Sequence, residues 1–197
     1  MADRMLLTEF SKQLNRNAVL RQLSGTPDCA AWEELLVCYE QLEPFFWNAA
    51  APKAVIAFSN ASKLLEGPFL RAGDTVAYVM ITLGDGVERL AKRYFDDKDY
   101  LGAMILHAMA DTYLFGMEEK LLETLSSACK SKGWGAQRRL EAPLHLPMEA
   151  QRIAAQETDA FHLLGVTVTE GEMLCPVKSY WFVIKLTKDD TVCCVRH

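Results

Sequence analysis

Apolar positions recur along this 197-residue chain with two periods, and they divide it into helices and strands. Leu6, Phe10, Leu14, Val19, Leu20 and Leu23 follow helical spacing, so a helix is predicted over residues 6–23, broken near Asn15–Asn17. Asn17 would cap its second half by accepting from free backbone N–H groups. The run Ser24-Gly25-Thr26-Pro27-Asp28 reads as a stop and a turn. A second helix is predicted over residues 30–47, with Leu35, Leu36, Tyr39, Leu42 and Phe46 as its apolar face. Residues 53–59 read as a strand and residues 67–71 as a short helical turn. Residues 74–83 carry β-branched and apolar side chains without alternation, the pattern of a central strand buried on both faces.

Gly84-Asp85-Gly86 turns the chain into a predicted helix over residues 87–95. The longest predicted helix spans residues 100–129. It is apolar nearly all round to Met117, which implies burial on most sides, and amphipathic beyond. Gly133 and Gly135 stop it. Strands are predicted over residues 136–141, 166–169 and 179–186, and a helix over residues 149–164. Strands and helices interleave without a clear pattern of parallel crossovers. The expected class is therefore α+β, a twisted antiparallel sheet with packed helices, one of them long and buried. Residues 1–50 form an N-terminal helical segment and residues 51–197 an α+β domain, expected to make one structural unit.

Composition narrows the function classes. A formal net charge of −5 argues against a general nucleic-acid binder. No apolar run reaches the length of a membrane span, and charges in the first twenty residues argue against a signal peptide or anchor. Six cysteines without a secretory signal point to a reducing, cytoplasmic setting. Cys193, Cys194 and His197 lack a second ligand pair, so no metal site is expected, and a metal-sensing or redox role for that terminus is the third and least favoured reading.

Four places carry candidate chemistry. His107 and Asp111 lie four residues apart on one face of the long helix, either as a satisfied core pair or as the polar wall of a pocket. Gly84-Asp85-Gly86 stands between strand and helix, but lacks a third glycine and a P-loop lysine, so ordinary turn chemistry explains it. Residues 138–147, with Arg138, Arg139, Pro143, His145 and Pro147, read as an ordered extended loop. Its arginines offer planar forks for a carboxylate. Residues 130–152 hold five basic and two acidic side chains, an excess that guides an acidic ligand or else is a solvated edge. Lys178 and Ser179, after Cys175-Pro176-Val177, either contact a ligand or face solvent. No nucleophile elbow or other catalytic signature is present, so no catalytic residue is assigned.

These stretches, in order, resemble the reactivation domain of cobalamin-dependent methionine synthase and its free-standing relatives. The matching residues are Asn17–Leu23, Ile81-Thr82-Leu83-Gly84, Ala108-Met109-Ala110-Asp111, Gly165–Thr169, and then Met173, Pro176, Lys178 and Ser179. The resemblance covers most of the chain and is best from Asp74 onward. It implies an α+β domain that binds S-adenosylmethionine for reductive methylation of a corrinoid, with the cobalamin supplied by a corrinoid protein or methyltransferase and electrons by a separate donor. The implied ligand-binding residues are Asp111, Arg139, Ala142, Pro143, Leu144, His145, Lys178 and Ser179. The family's loop reads Arg-x-Ala-Pro-Gly-Tyr. Here Ala142-Pro143 is kept, Leu144 and His145 follow, and Arg139 lies one residue further upstream. Phe115 stands where the family's helix has a glutamate. The alternative is a non-catalytic docking module of the same fold without the methyl-donor site.

Overall fold

A computed structural model describes residues 3–23 and 25–188. Five strands form an antiparallel sheet in the order β1 (Asp3–Leu7), β2 (Lys53–Asn60), β3 (Thr75–Thr82), β7 (Ser179–Thr187), β4 (Gly135–Leu140). Two short strands, β5 (Thr167–Val168) and β6 (Leu174–Cys175), pair apart from it. The class is α+β, as the hydrophobic pattern implies.

Both faces of the sheet are covered, which is why its central strands show no polar alternation. Ala77, Val79 and Ile81 of β3 join Phe182 and Ile184 of β7 under α1 (Arg16–Gln22), α2 (Trp32–Ala49), α3 (Gly86–Asp96) and α4 (Tyr100–Ser131). Val76, Tyr78 and Met80, with Trp181 and Val183, face α5 (Ala150–Thr158) and α6 (Ala160–Leu164). Successive side chains on a strand point to opposite faces, so each strand feeds both cores.

Helix α4 has 32 residues, about 48 Å at the usual rise. The Asp99 side chain caps it by accepting from the Gly102 N–H at 2.8 Å. It ends where Gly133 turns to a φ of +68°. Its inward residues, from Ile105 and Met109 to Leu121 and Leu125, lie in the first core.

Several elements differ from the sequence reading. The predicted first helix begins only at Arg16, and its cap is Asn15, which accepts from the Ala18 N–H at 3.1 Å, rather than Asn17. Asp3–Leu7 is instead an edge strand along β2. Met5 and Leu7 point to the core there and Leu6 is 48% exposed, so the helical spacing of Leu6, Phe10 and Leu14 was coincidental. The helical turn expected at residues 67–71 lies earlier, as one 3-10 turn at Lys63–Leu65 capped by Ser62. The helix expected over residues 149–164 is broken at Asp159, whose φ of +55° is left-handed, so α5 and α6 are separate.

Gly86 starts α3 against the end of α2. A Cβ there would lie 2.1 Å from the Ala49 carbonyl oxygen, whereas one at Gly116, inside α4, would meet nothing within 4 Å. Gly86→Ala is expected to lower unfolding free energy by about 3 kcal/mol, since rigid backbone must move. Gly116→Ala is expected to raise it by about 0.5–1 kcal/mol through helix propensity. Urea denaturation of the two variants checks both signs.

Candidate functional site

One face of α4 meets the β7–β4 end of the sheet and gathers most of the charged side chains singled out above. Asp111, Phe115 and Glu118 follow i, i+4, i+7 spacing and so share that face. Tyr180 and Phe182 are two apart on β7 and point to the same side. Lys178 stands just before them and is anchored where its carbonyl accepts from the Leu83 N–H at 3.0 Å.

The Lys178 ammonium donates to Asp111 Oδ1 at 2.7 Å. Its side chain is 11% exposed and that of Asp111 42%, so the cation is enclosed and the carboxylate half open. Lys178 thus does not face solvent. Ser179 is buried too, and its hydroxyl lies 2.7 Å from Thr82 Oγ1, which also accepts from the Gly84 N–H.

Arg139 lies on β4 rather than in a loop. Strand β4 shifts register between Ala136 and Arg138, the mark of a bulge at Gln137. The shift decides which arginine faces α4, because one residue of slip exchanges the two faces. Arg139 pairs with Ile184 and points toward α4; Arg138 pairs with Lys185 and points to the other face. The Arg139 guanidinium is 10% exposed, forms ion pairs with Glu118 and Glu141, and lies 4.1 Å from the centre of the Phe182 ring. Tyr180 Oη donates to the other Glu118 oxygen at 2.8 Å. Burial, then the charge and hydrogen bond of Glu118, push the Tyr180 phenol far above its ordinary range.

Residues 141–147 form turns around a cis Ala142–Pro143 bond. The His145 and Leu146 N–H groups both donate to the Glu141 carbonyl, at 2.7 and 3.2 Å. His145 Nδ1 accepts from the Glu141 N–H at 3.3 Å. The His145 ring meets the Phe69 ring edge-on at 5.5 Å, and Arg138 lies 3.9 Å from the centre of that same ring. Pro143 is exposed, and Leu144 is 76% exposed. The structure thus places Asp111, Arg139 and Lys178 along one α4 face. Ser179 is turned to Thr82, and His145 is turned to Phe69.

His107 lies one turn before Asp111 and is exposed, at the end of a groove of about 490 Å³ between α3 and α4 that Phe95, Tyr100 and Met104 also line. Desolvation, aided by Lys178 and opposed by Asp111 and Glu88, holds its pKa below the ordinary histidine value. Sequence reasoning missed Glu118, Glu141 and Tyr180. The signal for Glu118 was present, since it is an acidic residue on the helix face of the buried Leu114 and Leu121, four residues before and three after it. Among the described residues no group of three or more His, Cys, Asp or Glu side chains gathers as a metal site. Cys193, Cys194 and His197 lie outside those residues. No described helix is long and apolar enough to cross a membrane.

No family model matches this sequence, and no curated protein matches it either. The fold is similar to that of the MetH reactivation domain. The crystal structure of that domain bound to AdoHcy superposes with a TM-score of 0.67 over 93% of this chain and 78% of that one, at 12% identity. At that identity the likeness is one of fold.

Two outcomes follow from the geometry. Arg139→Leu leaves Glu118 enclosed without its cation and is expected to cost about 3 kcal/mol of stability; adding Glu118→Leu should recover at least half. Denaturation of the single and double variants measures this. His107 binds its proton less readily when folded, so its contribution to stability is complete above the unfolded value of about 6.5 and is lost as pH falls through the folded value. Stability should therefore drop below about pH 6.5, and His107→Gln should flatten that part of the urea midpoint against pH curve.

Proposed function

We propose that this chain is a reactivation-type domain that binds S-adenosylmethionine beside a corrinoid carried by a separate protein. The observation that carries the reading is the Asp111–Lys178 pair, an enclosed cation under a carboxylate half open to solvent, in a fold similar to a domain bound to AdoHcy. An amino-acid zwitterion is complementary to such a pair when laid against it head to tail. Asp111, with one oxygen on Lys178, offers its other to the ligand's ammonium. Lys178 has three N–H donors, one of them directed at Asp111, and the others suit the ligand's carboxylate.

Charge supports the same ligand. Along this face two cations, Lys178 and Arg139, meet three carboxylates, Asp111, Glu118 and Glu141. One negative charge is left over. S-adenosylmethionine carries one net positive charge, from its sulfonium, while S-adenosylhomocysteine carries none. The chemistry the ligand supplies in such a setting is methyl transfer to a reduced corrinoid, with the thioether as leaving group. This chain's own residues would bind and orient the donor, which is how an enzyme turns an encounter into a reactive geometry. The corrinoid protein and the electron donor are separate partners in this reading, which also takes residues 1–50 and 51–197 to act as one unit, a view that the pairing of β1 along β2 supports.

Arg139 is the exception. It is enclosed between two carboxylates and over Phe182, so it is not the anchor of the ligand's carboxylate. That engagement favours a second reading, a docking module of the same fold without the methyl donor.

Calorimetry with S-adenosylmethionine near neutral pH separates the two. Saturable binding is expected, weakened about tenfold by Asp111→Asn, as for the loss of a charged hydrogen bond. Heat-free titration of protein whose folded state is verified by circular dichroism would leave the docking module standing.

A further inference from the structure

Phe115 is 61% exposed, an unusual setting for a phenyl ring on a helix whose neighbouring Leu114 and Met117 are buried. It does not lie loose on the surface. Its ring rests on Tyr180 at 5.6 Å and 42°. Tyr180 stacks on Phe182 at 5.9 Å and 29°, and Phe182 carries the Arg139 guanidinium at 4.1 Å. Three rings therefore run in file from an enclosed cation to solvent, and Phe115 is the open end. Tyr180 is held in turn by Glu118, so the ring behind Phe115 has a fixed orientation.

The carboxylates around that open end outnumber Lys178 and Arg139, the cations that pair with two of them. Asp111 is one turn before Phe115 on the same face, and Glu118 and Glu119 are one turn after it. An aromatic face attracts cations through its quadrupole, and nearby carboxylates add to that attraction. A sulfonium suits such a place better than an ammonium does, because it has no N–H groups to satisfy.

We propose that Phe115 is a specificity-determining residue that receives the sulfonium of the methyl donor on its exposed ring, so that the site prefers the donor to its thioether product. The inference rests on the binding reading above and adds to it the means of discrimination. A reduced corrinoid, if bound beside this site, would supply the electron pair for the new bond to the methyl carbon. The S–CH3 pair stays on sulfur, and the sulfonium becomes a neutral thioether. Its attraction to Phe115 vanishes with its charge, which favours release of the product.

The test is calorimetry of the full chain with S-adenosylmethionine and with S-adenosylhomocysteine, on wild type, Phe115→Leu and Phe115→Tyr. Phe115→Leu keeps an apolar side chain without a π face. It is expected to weaken the donor about three- to fivefold and leave the product unchanged, while Phe115→Tyr keeps the wild-type ratio. An equal loss for both ligands in Phe115→Leu would make Phe115 a plain apolar contact, and no change for either would remove it from the site; both overturn this inference and leave the binding reading intact. Failure of wild type to bind either ligand overturns the binding reading and this inference with it.

Discussion

Burial of β3 and β7 on both faces is the constraint from which the rest of the molecule follows. A strand enclosed by helices on either side makes an unpaired polar group costly, because water cannot reach it, and the Tyr78 hydroxyl, buried in the middle of β3, is the exception. Polar side chains are therefore displaced to the strand ends. Thr82, Ser179 and Lys178 stand at one end of the β3–β7 pair, and Asp74 and Lys185 near the other, 2.6 Å apart. There the Lys185 ammonium and the Arg71 N–H hold the Asp74 carboxyl below its usual pKa. The Thr82 end also meets a helix face that carries carboxylates, and that coincidence gives the site its place.

A second condition is set by one extra residue. The bulge at Gln137 turns Arg139, and not Arg138, toward α4. It thereby supplies the cation that Glu118 requires in an enclosed position. Pairing of this kind adds little net stability, but breaking it is costly, so it fixes the separation of α4 from β4 more than it strengthens the fold. The aromatic file is a by-product of the same arrangement. With Glu118 committed to Arg139 and Tyr180, the Tyr180 ring is locked, and what lies on top of it inherits that order.

How much of this the amino-acid pattern disclosed depended on range. Strand β3 and helix α4 were legible because each is a long run whose pattern is set by its own burial. Strand β1 was not, since its partner lies some fifty residues away and its Leu6 fell by chance at helical spacing from Phe10 and Leu14. The break at Asp159 had no glycine or proline to announce it; a left-handed aspartate is visible only in coordinates. In the site, the same-face relation of His107 and Asp111 was readable from spacing. The partners were not. Lys178 is 67 residues from Asp111, and Arg139 is 21 from Glu118, so the sequence could not show that each cation is paired with a carboxylate.

The strand order has a consequence for the nascent chain. β7 lies between β3 and β4, yet it comes after both in sequence. Until residues 179–187 leave the ribosome, β3 presents an unpaired, wholly apolar edge, and β4 has no neighbour to lie against. Such a gap delays completion of the sheet until residues 179–187 are made and favours slow folding, because the pairing that closes it joins residues about a hundred positions apart. During that interval the open edge is the part of the molecule most exposed to pairing with the wrong strand, and a chaperone that shields extended apolar segments would act there first.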